Sequence, residues 1–208
     1  MTFRGCARRA SAGLVLGVTV ATAAHAAPDL KPGTYKIDIS HTYAHFRIHH
    51  MGLSTMHGRM DARKGTIRIG ADPADSSVTM IFDPASVDTG DDSRDEHLRK
   101  MDGFFHVEEY PSITFKSTQV TFDGPDHSAA KVTGKLTLHG VTRPVTLDVD
   151  HIACKVNPLE QSKYTCGFNA ETEISRSAFG MDAYPKLVGD QVHLSFEVEA
   201  NKPVDSGQ

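Results

Sequence analysis

Apolar and polar residues alternate along most of this chain. Tyr35, Ile37 and Ile39 take every second place, as do Ala44, Phe46 and Ile48. The same period of two returns in Ile67/Ile69, Val78/Met80/Phe82, Ile113/Phe115 and Val120/Phe122. It continues in Val132/Leu136/Leu138, Val145/Leu147/Val149, Phe168/Ala170/Ile174 and Val192/Leu194/Phe196/Val198. Each run is bounded by Gly, Pro, Asp or Ser, so each reads as a strand with one apolar face, about eight to ten in all. Strands that follow one another through turns predict an antiparallel sheet. The stretch from Asp91 to Tyr110 departs from this pattern. Asp91-Asp92-Ser93 offers an N-cap and Asp95-Glu96 puts acids in a first helical turn. The spacing predicts a short helix over Arg94–Met101, stopped by Gly103, with Phe104, Phe105 and Val107 packing as a plug. The segments Ala27–Pro32 and Lys202–Gln208 read as frayed ends.

The one long apolar run lies at the N-terminus. Arg4, Arg8 and Arg9 precede an uncharged stretch from Ala10 to Ala24, and Ala24-His25-Ala26 fits a small-x-small cleavage site. Residues 1–26 are therefore expected to be a signal peptide cut after Ala26, with export to the periplasm. The run is too short and too rich in Ala and Gly for a membrane anchor. Cutting 26 residues from 208 leaves one domain of 182, residues 27–208, with no membrane span. Losing three Arg and no acid takes the formal charge from −4 to −7. That balance excludes a phosphate-driven nucleic-acid binder, which needs a basic surplus to release counterions.

Two cysteines remain after cleavage, Cys154 and Cys166. An even count in an exported chain reads as a disulfide. Asn157-Pro158 and the polar stretch to Lys163 look like a hairpin tip between them, and facing residues on antiparallel strands suit a disulfide. A metal pair or redox couple is the other reading, though no CxxC is present.

So many short strands in one domain fit a sandwich or a closed barrel, with a filled core or one small-ligand cavity. Periodicity does not choose between them. A series of segments adds to the pattern. Tyr35-Lys36-Ile37-Asp38 and Ala44-His45-Phe46-Arg47-Ile48-His49-His50-Met51-Gly52-Leu53-Ser54 open it. Ser86-Val87-Asp88-Thr89, Arg94-Asp95-Glu96-His97-Leu98, Phe104-Phe105 and Tyr110 to Ser117 follow. Val132 to Val145, Ile174-Ser175-Arg176-Ser177-Ala178-Phe179-Gly180 and Val188-Gly189-Asp190-Gln191-Val192 close it. In this order the chain resembles the YceI-like family of bacterial periplasmic polyisoprenoid-binding proteins. The resemblance implies an all-β fold, a lipocalin-like eight-stranded antiparallel β-barrel with one short helix. It also implies an apolar tunnel for an isoprenoid or similar long chain, a homodimer, and no catalytic activity. His49 and the cysteine pair depart from the features associated with the whole family.

In a barrel the apolar face of each strand points inward. Burying a methylene contributes roughly 0.8 kcal/mol, so a polyprenyl tail binds without specific polar contacts. Phe46, Ile48, Met80, Phe82, Phe115, Leu136, Leu138, Leu147 and Phe196 are the candidate wall, with core packing as the equal alternative for each. Met51, Met56, Met60, Met80 and Met101 add adaptable surface for a flexible guest. His50 shares the parity of Phe46 and Ile48 and is expected inward, as a satisfied structural imidazole or a head-group contact. Arg94 and Arg176 are candidate contacts for a head group or pyrophosphate, because a guanidinium fork suits phosphate. The plainer reading is an ion pair pinning the helix, with Asp95 or Asp88 as partner of Arg94. His41, His45 and His49 share the opposite parity, but residues four apart on a strand lie about 13 Å apart, too far for one metal ion. No cofactor or metal is expected. GxSxG, P-loop, GxGxxG after a strand and HExxH motifs are all missing. The expected function is sequestration or transport of a long apolar ligand. The alternatives are a metal- or haem-binding redox accessory and an enzyme acting on an isoprenoid quinone.

Overall fold

The computed structural model describes residues 27–204. The expected leader, residues 1–26, and residues 205–208 lie outside that range. Nine strands form: β1 (Gly33–Ile37), β2 (Tyr43–His50), β3 (Ser54–Ile69), β4 (Ser77–Phe82), β5 (Ile113–Asp123), β6 (Ala129–Leu138), β7 (Val141–Val156), β8 (Lys163–Ser175) and β9 (Val188–Pro203). One helix, α1 (Asp92–Lys100), lies between β4 and β5. From β2 to β9 each strand pairs antiparallel with the next, and β9 returns to β2 with Phe46 opposite Leu194. The ring is closed, so it has no exposed edge to template aggregation. β1 lies in line with β2. Lys36 faces Thr66 and Asn201 much as Tyr43 faces Asp61 and Glu197. The two segments make one interrupted stave, and the barrel has eight.

The interruption corrects one expectation. Ile39 does not extend the first strand. The Asp38 side chain accepts from the Ser40 amide at 3.0 Å, caps a 3-10 turn over Ile39–His41, and leaves Ile39 exposed.

Register shifts explain why the inward parity changes within single strands. Ile113 and Phe115 are odd, whereas Val120 and Phe122 are even, and read as separate strands. They belong to the single strand β5, whose pairing with β6 shifts between Ser117 and Gln119. A bulge adds one residue, so both halves turn their apolar side chains to the interior. Similar shifts lie between Ala62 and Lys64 and between Val149 and His151.

Helix α1 starts as its sequence dictates. The Asp91 carboxylate accepts from the Arg94 amide at 2.8 Å, Asp92 and Asp95 occupy the first turn, and His97, Arg99 and Lys100 the last. The excursion from Asp83 to Ser112 folds over one end of the barrel, the upper end. Gly103 lies so close to the 181–184 turn that a β-carbon would sit 2.7 Å from the Ala183 amide nitrogen. That amide donates to the Gly103 carbonyl at 3.1 Å.

The lower end has its own cluster, built from Tyr35, Ile67, Ile69, Tyr164, Cys166 and Ala200. Here Cys154 and Cys166 stand directly opposite on β7 and β8 and form a disulfide, with Cα atoms 4.1 Å apart. The chain before β1 is not frayed, contrary to expectation. The Tyr164 hydroxyl donates to the Asp29 carbonyl and the Tyr35 hydroxyl to the Lys31 carbonyl, both at 2.7 Å. The Lys202 ammonium donates to the Pro32 carbonyl at 3.2 Å, and Leu30 packs against the core. Nor is the far end frayed at Lys202, since β9 runs on to Pro203. Burial is the main cause, with the Asp29 side chain second, that pushes the Tyr164 phenol up to about 12.

Candidate ligand-binding site

An apolar strand face becomes a wall when the sheet closes. Every strand of the ring contributes, and the barrel encloses a cavity of about 220 Å³. Its surface exposes apolar atoms only. A cavity with a wall of this kind offers water no hydrogen-bond partner. Its wall includes Phe46, Ile48, Met80, Phe82, Phe115, Leu136, Leu138, Leu147 and Phe196, the whole apolar set expected from parity. Phe82 and Phe196 meet across the interior with ring centroids 5.8 Å apart.

Some wall residues carry no strand signal. Leu98 comes from α1, Phe104 and Phe105 from the loop after it, and Met181 from the turn after Gly180. The plug expected of Phe104 and Phe105 is in place, with Val107 packed against the same core. Leu98 and Met181 were missed because neither sits in a period-two run. Of the methionines expected to add adaptable surface, Met60 and Met80 line the wall, whereas Met51 is exposed.

Arg176 also reaches the cavity, and only 4% of it is exposed. Its Nε donates to the Gly189 carbonyl at 2.8 Å, its Nη1 to Met181 at 2.6 Å and its Nη2 to Val188 at 3.0 Å. These bonds tie the 180–189 segment to the 3-10 turn at Arg176–Phe179. No carboxylate among the described residues reaches the guanidinium within ion-pair distance. Burial accordingly pulls its pKa below the ordinary arginine value, with Asp190 and Asp182 pulling the other way. Asp190 is engaged elsewhere: it accepts from the Ser177 amide at 2.9 Å and from the Ser175 hydroxyl. The result is a fixed cation at the upper end of an apolar chamber.

His50 and Arg94 are not on that wall. The pairing of β2 with β9 shifts between Ile48 and His50, so Val192 faces Ile48 while Val188 faces His50. β9 spends two extra residues there, and His50 ends half-buried at the rim beyond the cavity. Arg94 makes no ion pair with Asp88 or Asp95. Its Nε donates to the Thr89 hydroxyl at 2.8 Å and its Nη2 to the Thr89 carbonyl at 2.9 Å. Asp95, 5% exposed, accepts from the Thr89 amide at 2.9 Å and from the Thr89 hydroxyl. Thr89 thus relays between the two charges and fastens α1 to the loop before it. Asp88 pairs instead with Arg59, at 3.4 Å.

The three histidines of opposite parity do not converge. His41 lies 3.2 Å from Asp38, His45 lies 3.2 Å from Glu197, and His49 lies 3.5 Å from the Thr55 hydroxyl.

Comparison with known proteins agrees with this architecture. The family model described as YceI-like domain matches residues 35–200. Protein YceI of Escherichia coli is 36% identical over 188 residues, which is 89% of this chain and 95% of that protein. The crystal structure of the Campylobacter jejuni YceI protein superposes with a TM-score of 0.62 at 28% identity, covering 74% of this chain and 89% of that one. A polyisoprenoid binding domain from Saccharophagus degradans superposes with a TM-score of 0.55 at 17% identity, over 81% of this chain and 98% of the domain, and shares the fold.

Proposed function

The chain belongs to the YceI-like family, and from that premise and its cavity we propose that it binds a long apolar molecule and holds it out of water. The ligand class is an isoprenoid or an isoprenoid pyrophosphate. The observation that carries this reading is a chamber of about 220 Å³ inside the barrel whose exposed wall is wholly apolar. An apolar tail gains roughly 0.8 kcal/mol for each methylene it buries. Arg176 contributes by position rather than by contact: its guanidinium is spent on three backbone carbonyls and fixes the 180–189 segment over the upper end of the chamber. The name of the Saccharophagus degradans domain supports the same ligand class. The role is binding and carriage rather than catalysis, in the periplasm, after removal of residues 1–26.

The test is extraction of freshly purified protein under denaturing conditions, followed by mass spectrometry. A chain-like lipid is expected. Repeated extraction without one, together with failure of added prenyl compounds to bind, overturns the reading.

A further inference from the structure

Four of the seven large apolar side chains exposed among the described residues stand together at the upper end of the barrel. Met51 and Leu53, 47% and 81% exposed, belong to the β2–β3 turn; Tyr184 and Leu187, 46% and 49% exposed, belong to the turn before β9. The Met51 amide donates to the Leu187 carbonyl at 2.6 Å and staples the turns to each other. Backbone strain at Met51 and Tyr184 makes the arrangement costly. Met51 and Gly52 have φ of 53° and 67°, the left-handed pair of a tight hairpin. Such turns favour Asn-Gly, because a bulky residue is strained in the first place. Tyr184 is strained likewise, with φ of 51°. Exposed apolar side chains on strained turn tips destabilise the folded chain, and strain of this sort gathers at functional places.

The patch is continuous with the cavity. The Tyr184 ring lies 6.2 Å from Phe104, a wall residue. Val188, next to Leu187, and Ile48, at the top of β2, are wall residues too. Apolar surface therefore runs from the outside of the barrel to its chamber.

We propose that these two turns dock the protein on a lipid bilayer, with Met51, Leu53, Tyr184 and Leu187 entering the boundary between head groups and acyl chains. Exposed apolar side chains on turns suit insertion between lipids, where aromatic and aliphatic groups partition favourably. Lys186, also exposed, lies between two of the four in sequence and supplies a cation for head-group phosphates. The use of the surface rests on the proposed carrier function: a cargo soluble in the bilayer enters the chamber without crossing water. Docking itself needs no cargo.

The experiment is flotation of delipidated residues 27–208 with phosphatidylcholine vesicles, in parallel with binding of a fluorescent prenyl analogue in solution. The protein is expected to float. Leu53→Asp lowers vesicle partition by at least about tenfold, since it removes one buried apolar side chain. Met51→Asn also lowers partition, yet raises thermal stability, because Asn tolerates the left-handed turn. Both variants keep their affinity for the prenyl analogue. Leu159→Asp, on an exposed tip at the other end, floats as the parent does. Failure of the parent to float, or flotation of Leu53→Asp equal to the parent, overturns the proposal. So does a solution dimer that Leu53→Asp dissociates, which makes the patch an interface between copies. A protein that floats but binds no prenyl analogue sinks the carrier reading and leaves docking standing.

Discussion

Ile48 lines the cavity from β2, and its neighbour Arg47 is exposed to water. Ile48→Trp therefore puts a larger ring into open space rather than into a filled core. The ligand-free variant is expected to melt within a few degrees of the parent, whereas overpacking a full core costs about 1–3 kcal/mol. Affinity for a prenyl analogue is expected to fall more than tenfold, because each displaced methylene loses roughly 0.8 kcal/mol. Arg47→Ala leaves affinity unchanged. A clear loss of stability with unchanged affinity per folded molecule shows Ile48 to be ordinary core. At this scale the apolar wall was legible, because parity on a strand is a geometric consequence of the pleat. The charged candidates were not. Whether a guanidinium meets a carboxylate, a hydroxyl or three carbonyls depends on how irregular loops fold back, which no period records: Arg176 meets Gly189 and Val188, and Arg94 meets Thr89. His50 was misplaced for a different reason. The shift lies in β9, about 140 residues further on, and β2 carries no trace of it.

Among the elements, the strands were nearly all visible, and what escaped was their joining. The even-numbered and odd-numbered halves of β5 looked like two strands because a bulge changes parity without leaving a turn signal. β1 and β2 looked like independent strands, though they form one stave. The hairpin of β7 and β8 was foreseen from its cysteines, whose facing positions depend only on local turn length. The disulfide closes a loop with a sequence separation of 12, which constrains the unfolded chain by roughly 3 kcal/mol. Replacing both cysteines with Ala is expected to lower Tm by about 6–12 °C. Prenyl affinity should hold, because the bridge belongs to the lower cluster. Thiol labelling of residues 27–208 under denaturing, non-reducing conditions should find no free sulfhydryl; two labelled cysteines remove the basis of the prediction.

Over the whole molecule, the lower closure couples stability to alkaline pH. Tyr164 keeps its proton to about 12 in the fold, against an ordinary value near 10. A phenol raised on folding contributes stability that is fully present below about 10 and is lost as pH rises through about 12. Tyr164→Phe is expected to cost about 1 kcal/mol at neutral pH, through loss of the bond to Asp29. It should also flatten the alkaline fall in stability between those pH values. An unchanged alkaline slope, followed by urea melts across that range, refutes the assignment. The order of the strands carries a separate consequence, for the way the chain reaches this state. With β1 and β2 counted as one stave, every neighbour pair in the ring is also a neighbour pair in sequence except that stave with β9. Hairpins can therefore form one after another as the chain lengthens, at low loop-closure cost. The last stave is different: until residues 188–203 arrive, β2 and β8 are open edges and the future cavity wall faces solvent. A nascent chain without β9 is thus a curved sheet with two open edges and an uncovered apolar face, and it stays prone to aggregation until the final strand seals it.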